Sequence, residues 1–175
     1  MRTLRAEHCT LEPQVAAHAR EMFEILSDPA IYEFENAPPE SESRLAERYA
    51  RLETRLSNDG AEHWLNWVLR LPDGRLAGYV QATVPPGGVG YVAYEIASKY
   101  WRRGIGSCAV RAMMGELETH YGVHTVVALL KARNHRSLAL LEHLGFARAD
   151  SVQSAAHGAE EDEIVMVRAG KAGRE

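Results

Sequence analysis

Residues 100–110 read YWRRGIGSCAV, with two arginines and then two glycines where an extended apolar run gives way to a helical repeat. That order of residue types suits the holding of an anion. A helix N-terminus carries N–H groups without intrahelical partners and the positive end of a dipole. Gly104 and Gly106 let a ligand approach the backbone, and Arg102 and Arg103 add formal positive charge. The same residues also suit a tight strand-to-helix turn beside a solvated charge pair, and the short motif by itself leaves both readings open.

Just upstream, YEIA lies in a β-rich run whose alternation sets Glu95 on one face and Tyr94 and Ile96 on the other. A carboxylate at Glu95 could act as a proton acceptor, directly or through water. It could equally be a half-exposed strand carboxylate paired with a base. The glycines also fit G-x-G-x-x-G/A, and the next strand ends in Lys131 and Arg133, as in an NADP-type fold. Against that, the insertion SKYWRR separates the glycines from their strand, a β-meander precedes them, and too little chain follows for a doubly wound sheet.

The elements that must position these residues follow from hydrophobic period. Residues 14–26 repeat at helical spacing through Val15, Ala19, Met22, Phe23 and Leu26, and a second helix is predicted from Ser41 to about Ser57 through Leu45, Tyr49, Leu52 and Leu56. HWLNWVLRL and RLAGYVQATV flank the turn signal PDG, and VGYVAYEIAS completes a three-strand meander. From Ile105 the helical repeat returns through Cys108, Ala109, Ala112, Met113 and Leu117, ending near Tyr121 and Gly122. TVVALL, continuously apolar, predicts a central strand buried on both faces. A short helix runs from the N-cap Asn134 to Leu144, with Gly145 as left-handed cap, and 146–153 and 163–168 predict two closing strands. With a short strand at the start, the pattern predicts a mixed α/β fold: a mostly antiparallel central sheet with helices on both faces. One domain over 1–170 and a loose tail at 171–175 are expected.

Composition narrows the function classes. The 175 residues carry a net charge of −4 and 46% hydrophobic residues, an ordinary globular balance that argues against broad nucleic-acid binding. Cys9 and Cys108 lie far apart and the eight histidines show no ligand spacing, so neither a disulfide framework nor a metal is expected. The N-terminus lacks the apolar run of a secretory signal and no segment has the length of a membrane span, so a cytoplasmic protein without a membrane partner is the expectation.

Two segments at the proper separation, YEIASKYWRRGIGSCAV and NHRSLALLEHLGF, with the buried strand between them, resemble the acetyl-CoA-binding core of the GNAT superfamily of N-acetyltransferases. The likeness is specific over about residues 75–150. The tyrosine-tryptophan pair before the glycines narrows it to the branch containing the ribosomal-protein N-acetyltransferases.

The resemblance implies that the loop from Trp101 through Arg102, Arg103, Gly104, Ile105, Gly106 and Ser107 binds the CoA pyrophosphate through backbone amides, with Trp101 standing where Arg or Gln is usual. It implies that Ile96, Ala97 and Ser98 pair with the pantetheine arm, that Asn134 hydrogen-bonds it and that Arg136 reaches the nucleotide end. A backbone N–H near Ile96 or Ala97 would hold the oxyanion. Glu95 is the candidate general base. Many relatives carry a tyrosine acid where this chain has Leu141, which leaves Ser137 as the candidate acid or merely a cap. Tyr32, Glu33 and Trp64 are the candidate acceptor-binding residues, with Glu35, His63 and Trp67 also available.

The implied activity is direct acetyl transfer from acetyl-CoA, without a metal, to a primary amine on a peptide N-terminus or small molecule, by a monomer or homodimer. Cys108 lies on the apolar stripe and is expected to be core rather than an acyl carrier. A non-catalytic acyl-CoA-binding or sensing module is the alternative, and the NADP-type dinucleotide reading a weaker one.

Overall fold

The computed structural model describes residues 1–170, and the tail expected at 171–175 lies outside the described residues. Two short strands open the chain, β1 (Leu4–Arg5) and β2 (Thr10–Pro13), where one was expected. A 3-10 turn (Ala16–His18) leads into α1 (Ala19–Leu26), a second (Pro29–Tyr32) follows, and then α2 (Glu42–Leu52). The meander is β3 (His63–Arg70), β4 (Leu76–Val84) and β5 (Val89–Ile96). After it come α3 (Ile105–His120), β6 (Thr125–Lys131), α4 (His135–His143), β7 (Ala147–Arg148), α5 (Ser151–Ala156) and β8 (Glu163–Ala169).

The strands form one sheet in the order β1-β2-β3-β4-β5-β6-β8-β7, antiparallel except for β5 beside β6. Helices α1 and α2 pack together on the face to which Glu95 and Tyr79 point, and α3 and α4 pack on the other. This is the mixed, mostly antiparallel architecture expected. TVVALL is central, with Val126 and Val127 fully buried between β5 and β8.

Three boundaries differ from the pattern, each for a local reason. Gln14 extends the sheet by donating its N–H to the Asn66 carbonyl (2.9 Å), so the first α-helix begins only at Ala19. Helix α2, capped by Ser41, stops at Leu52 because Arg55 takes a left-handed φ of 62° and turns the chain. Leu56 therefore lies beyond the helix, 40% exposed and bridged to His63. The strand expected over 146–153 shrinks to Ala147–Arg148, since Asp150 and Gln153 form a capping box that starts α5. The end of α4 is as expected: Gly145 (φ 84°) donates to the Glu142 carbonyl and Phe146 to that of Leu141, which together close the helix.

The feature that makes a site is the parting of β5 from β6. Their register runs only from Val89↔Thr125 to Tyr91↔Val127. Beyond it β5 stays with β4 as far as Gly78↔Ile96, while β6 stays with β8 along its whole length. A V-shaped gap opens between Val92–Ile96 and the far half of β6.

Gly78 holds the β4 edge of that gap close. Its φ is 151°, and a Cβ there would drive into the backbone carbonyl of Glu95. Gly78→Ala is expected to cost on the order of 3 kcal/mol, the scale of a severe steric conflict in a filled core. Urea unfolding checks this, and a midpoint equal to that of the parent would show that β5 can yield.

Candidate active site

A cavity of about 850 Å³ follows the gap and collects most of the residues singled out above. Its first wall is the backbone of β5. Ala97 donates its N–H to the Ala77 carbonyl on β4 (2.9 Å), so by the alternation of an antiparallel ladder Ile96 and Tyr94 turn their backbone groups away from β4, into the gap. The Ile96 carbonyl accepts from Trp101 Nε1 at 2.7 Å. This corrects the pairing set: the Ala97 amide is spent on β4, and the Ser98 N–H donates to Asp28 Oδ2 (2.8 Å). Those two residues line a separate small recess beside Asp28, and Ile96 and Tyr94 face the gap instead.

The second wall is the head of α3. Arg102 (φ 60°) and Gly104 (φ 75°) are both left-handed, and the first intrahelical bond runs from the Cys108 N–H to the Gly104 carbonyl. The helices α2, α4 and α5 are capped by Ser41, Asn134 and Asp150, but α3 has no side-chain cap. The amides of Ile105, Gly106 and Ser107 therefore lack intrahelical partners where these residues line the cavity. With exposed Arg102 and Arg103 beside them, they fit a pyrophosphate. Gly106 serves packing as well as approach, because a Cβ there would meet Leu140 Cδ1 at 2.9 Å and make that side chain turn aside.

The third wall is the first turn of α4. Asn134 Oδ1 accepts from the Ser137 N–H (3.1 Å), as the predicted cap, and Asn134, Arg136 and Ser137 line the cavity. Tyr94 reaches this turn from β5, its hydroxyl 3.4 Å from the Ser137 carbonyl, and burial pushes the phenol up to about 12. The Arg136 guanidinium lies 4.1 Å over the Trp101 ring and 5.2 Å from the Phe34 ring, and Nη2 donates to Glu33 Oε2 at 2.7 Å. Trp101 thus does two jobs, tying the loop to Ile96 and supporting Arg136. Leu141, where a tyrosine acid would stand, is a core residue.

Glu95 occupies the opposite face of β5. Burial pushes its carboxyl above the ordinary range and nearby Glu35 adds to this, while the Tyr79 phenol and the Arg48 guanidinium oppose it. The phenols of Tyr32, Tyr49 and Tyr79 are raised chiefly by burial, and each is raised further by the Glu95 charge. The carboxyl sits in a ring of tyrosines beneath α2. Tyr32 lines this side of the cavity, and its hydroxyl donates to the Leu26 carbonyl.

Of the other acceptor candidates Glu35 lines the cavity as well, and the rest lie elsewhere. Glu33 is outside the cavity on Arg136. Trp64 is outside it too, its indole bound to Glu62, because its strand position lies beyond the reach of the gap. Trp67 is fully buried and donates to the Arg2 carbonyl, and His63 packs edge-on against Tyr121.

Sequence reasoning missed Arg48, Tyr49, Tyr79 and Tyr94. The register Tyr79↔Glu95 puts one of them beside the carboxyl, and only a known strand pairing shows it. Cys108, expected in the core, is half-buried at the edge of α3, with Sγ 4.0 Å from Cys9 Sγ and outside the cavity lining. Among the described residues no cluster of three or more His, Cys, Asp or Glu could hold a metal ion, and no helix is long and apolar enough to cross a membrane.

Comparison with known proteins agrees with this geometry. Solved structures with the same fold include the ribosomal-protein-S5-alanine acetyltransferase of Vibrio fischeri, 19% identical, with a TM-score of 0.78 over 99% of each chain. A ribosomal L7/L12 alpha-N-protein acetyltransferase in complex with coenzyme A aligns with a TM-score of 0.77 at 14% identity, covering 95% of this chain and 97% of that one. An aminoglycoside acetyltransferase in complex with coenzyme A aligns at 0.72 and 20% identity, covering 91% and 93%. No curated protein sequence matches the chain significantly. The model of the acetyltransferase (GNAT) domain matches residues 8–147, most of the chain and all the walls of the cavity, so this protein belongs to the GNAT family of acetyl-CoA-dependent N-acetyltransferases.

Proposed function

We propose that the protein moves an acetyl group from acetyl-CoA directly to a primary amine, using one acetyltransferase domain over residues 1–170. The observation that carries this reading is a cavity joining an uncapped helix N-terminus at one end to the half-buried Glu95 carboxyl at the other. Acetyl-CoA supplies a thioester, an acyl carbon already activated toward amines. The amides of Ile105, Gly106 and Ser107, with Arg102 and Arg103, hold the pyrophosphate. Backbone groups of Tyr94 pair with the pantetheine arm where β6 has moved away, and Asn134 adds a hydrogen bond. Arg136, braced by Trp101, exchanges Glu33 for the nucleotide end.

Glu95 accepts the proton of the attacking amine, and its raised pKa makes it a stronger base than an ordinary carboxylate. The Ile96 N–H is the donor for the developing oxyanion. A proton moving from Tyr94, near 12, to a thiolate whose acid has a pKa of about 8.5 would climb roughly 5 kcal/mol. Tyr94 and Ser137 therefore steady the departing sulfur by hydrogen bonding and need not protonate it, which makes Leu141 compatible with turnover. Tyr32, Glu35 and Arg48 border the acceptor side. An α-amine, with a pKa of about 7.7–8.0, asks less of the base than a lysine or other alkyl amine at about 10.4, so peptide N-termini are the least demanding acceptors.

The test is to incubate the protein with acetyl-CoA and a broad amine panel while following thiol release and the mass of the products. Acetylated amine with stoichiometric thiol is expected. A thermal shift with acetyl-CoA but no transfer to any amine would sink the catalytic reading in favour of a sensing module. A shift with NADP and none with CoA would sink both.

A further inference from the structure

The acceptor side of the cavity has an arm that the reaction just described does not use. Gln14 donates its N–H to the Asn66 carbonyl, Asn66 stands opposite Gln81, and Gln81 stands opposite Ala93. Directly opposed residues of antiparallel strands share a face, so three carboxamides stand side by side in one row across three neighbouring strands. The row lies on the same face as Tyr79 and Glu95, one step along the strands from them. Gln14, Asn66 and Gln81 all line the cavity, and Leu45, Tyr49 and Leu52 of α2 line it with them.

Burial makes this row unusual. Gln14 is 2% exposed and Asn66 6%, and among the described residues only Glu116 joins them as a buried polar or charged side chain. Glu116 is satisfied by Arg2. Asn66 Nδ2 donates to the Trp64 carbonyl, but Gln14 Nε2 has no partner among the described residues. A buried amide donor left unpaired costs more free energy than a hydrogen bond returns, so such groups normally find an acceptor.

Charge excludes one kind of occupant. Glu35 and Glu95 are the carboxylates that line the cavity, Arg48 stands among them, and the row itself offers carboxamides in place of a counter-ion. An amine with further positive charges gains little here.

We propose that this arm recognises the acceptor's tail, and that the acceptor is a monoamine carrying an uncharged hydrogen-bonding group, a carboxamide, peptide carbonyl or hydroxyl. The proposal rests on the acceptor side of the transfer reading above. With the amine at Glu95, Gln81 is about 7–8 Å away as a diagonal neighbour, and Asn66 and Gln14 follow at strand spacings of about 4.8 Å each. A tail of five or six bonds, about 7 Å long, reaches Gln81, and one of about twelve bonds, roughly 15 Å, carries its polar group along the row to Gln14 while its methylenes lie against Leu45 and Leu52. The same chemistry can come from a free small molecule or from the first residues of a peptide.

A matched set of amines tests this: 11-aminoundecanamide, n-dodecylamine and 1,11-diaminoundecane, of similar length but neutral-polar, apolar and dicationic, together with a tetrapeptide amide. Acetyl transfer and calorimetric binding in the presence of CoA are measured for the parent and for Gln14→Met, which keeps length and removes the amide. The parent is expected to favour 11-aminoundecanamide over either other diagnostic amine by about tenfold, in KM rather than kcat, the effect of one or two hydrogen bonds to buried partners. Gln14→Met should erase most of that preference without lowering Tm. The tetrapeptide amide reports the source: a Gln14-dependent KM below that of 11-aminoundecanamide assigns the arm to a peptide N-terminus, and one above it to a free amine.

Equal rates for the three diagnostic amines would overturn the proposal. So would a lower Tm in Gln14→Met with the preference intact, which would mean that the amide only holds a buried water. Gln14-dependent binding without acetylation would keep the arm and sink the transfer reading, and acetylation without Gln14 dependence would do the reverse.

Discussion

Glu95→Gln is expected to slow acetyl transfer by about 10²–10⁴-fold, the usual contribution of a positioned general base, while leaving acetyl-CoA affinity essentially unchanged. The two effects separate because Glu95 faces the tyrosines beneath α2, whereas the proposed cofactor walls are β5 backbone, the head of α3 and the first turn of α4. The pH profile carries more information than the rate. Glu95 must be ionised to act, and burial raises its pKa, so the acid limb of the parent should lie above the ordinary carboxylate value of about 4.3. That limb should vanish in Glu95→Gln.

Stability should move the opposite way. A carboxyl whose folded pKa exceeds its unfolded one favours folding only while protonated, and that contribution is lost as pH rises through the folded value. At neutral pH the ionised, desolvated Glu95 is therefore a burden on the fold. Glu95→Gln should melt above the parent at pH 7.5, with the gap closing as pH falls toward the carboxylate range. Calorimetric scans across pH check the sign. A variant that melts lower at pH 7.5, or keeps the parental rate, would remove Glu95 from the base role.

Ser107→Asp addresses the other end of the cavity. Ser107 lies in the first turn of α3, where a carboxylate complements the helix dipole, so the fold should be unharmed or stabilised by about 0.3–1 kcal/mol. The same carboxylate would stand beside a bound pyrophosphate. At roughly 5 Å and an effective dielectric near 20 the repulsion is about 3 kcal/mol, which is about a hundredfold in affinity. A substitution that tightens the helix and weakens acetyl-CoA binding separates the cradle from its turn. Titration calorimetry with acetyl-CoA beside thermal denaturation reads both, and unchanged affinity would mean that the phosphates lie elsewhere. Substituting Gly106 is a poorer test than its place in the motif suggests, since the new side chain would strike Leu140 whether or not a ligand were present.

Much of the site was readable before the fold, because its parts are backbone and backbone follows local sequence. The period change at Ile105, the Asn134 cap and the Gly145 stop each depend on residues within a turn or two of one another, and all three stand as expected. The helix end at Leu52 and the short β7 were misplaced because single residues, Arg55 in a left-handed conformation and Asp150 as a cap, overrode the hydrophobic repeat.

The acceptor side was least legible. Trp64 was singled out by its type, yet Arg48, Tyr49, Tyr79 and the Gln14 row lie where the tertiary structure brings three strands and a helix together.

The amino-acid sequence by itself determined the order of the main elements, the glycine-led start of α3 and the carboxylate at Glu95, since each is written in adjacent residues. Only the tertiary structure decided where β5 leaves β6, which amides remain free, and which polar side chains share a wall with Glu95. Strand register and helix placement are settled by long-range packing, and no local pattern encodes which face of a distant strand will lie beneath α2.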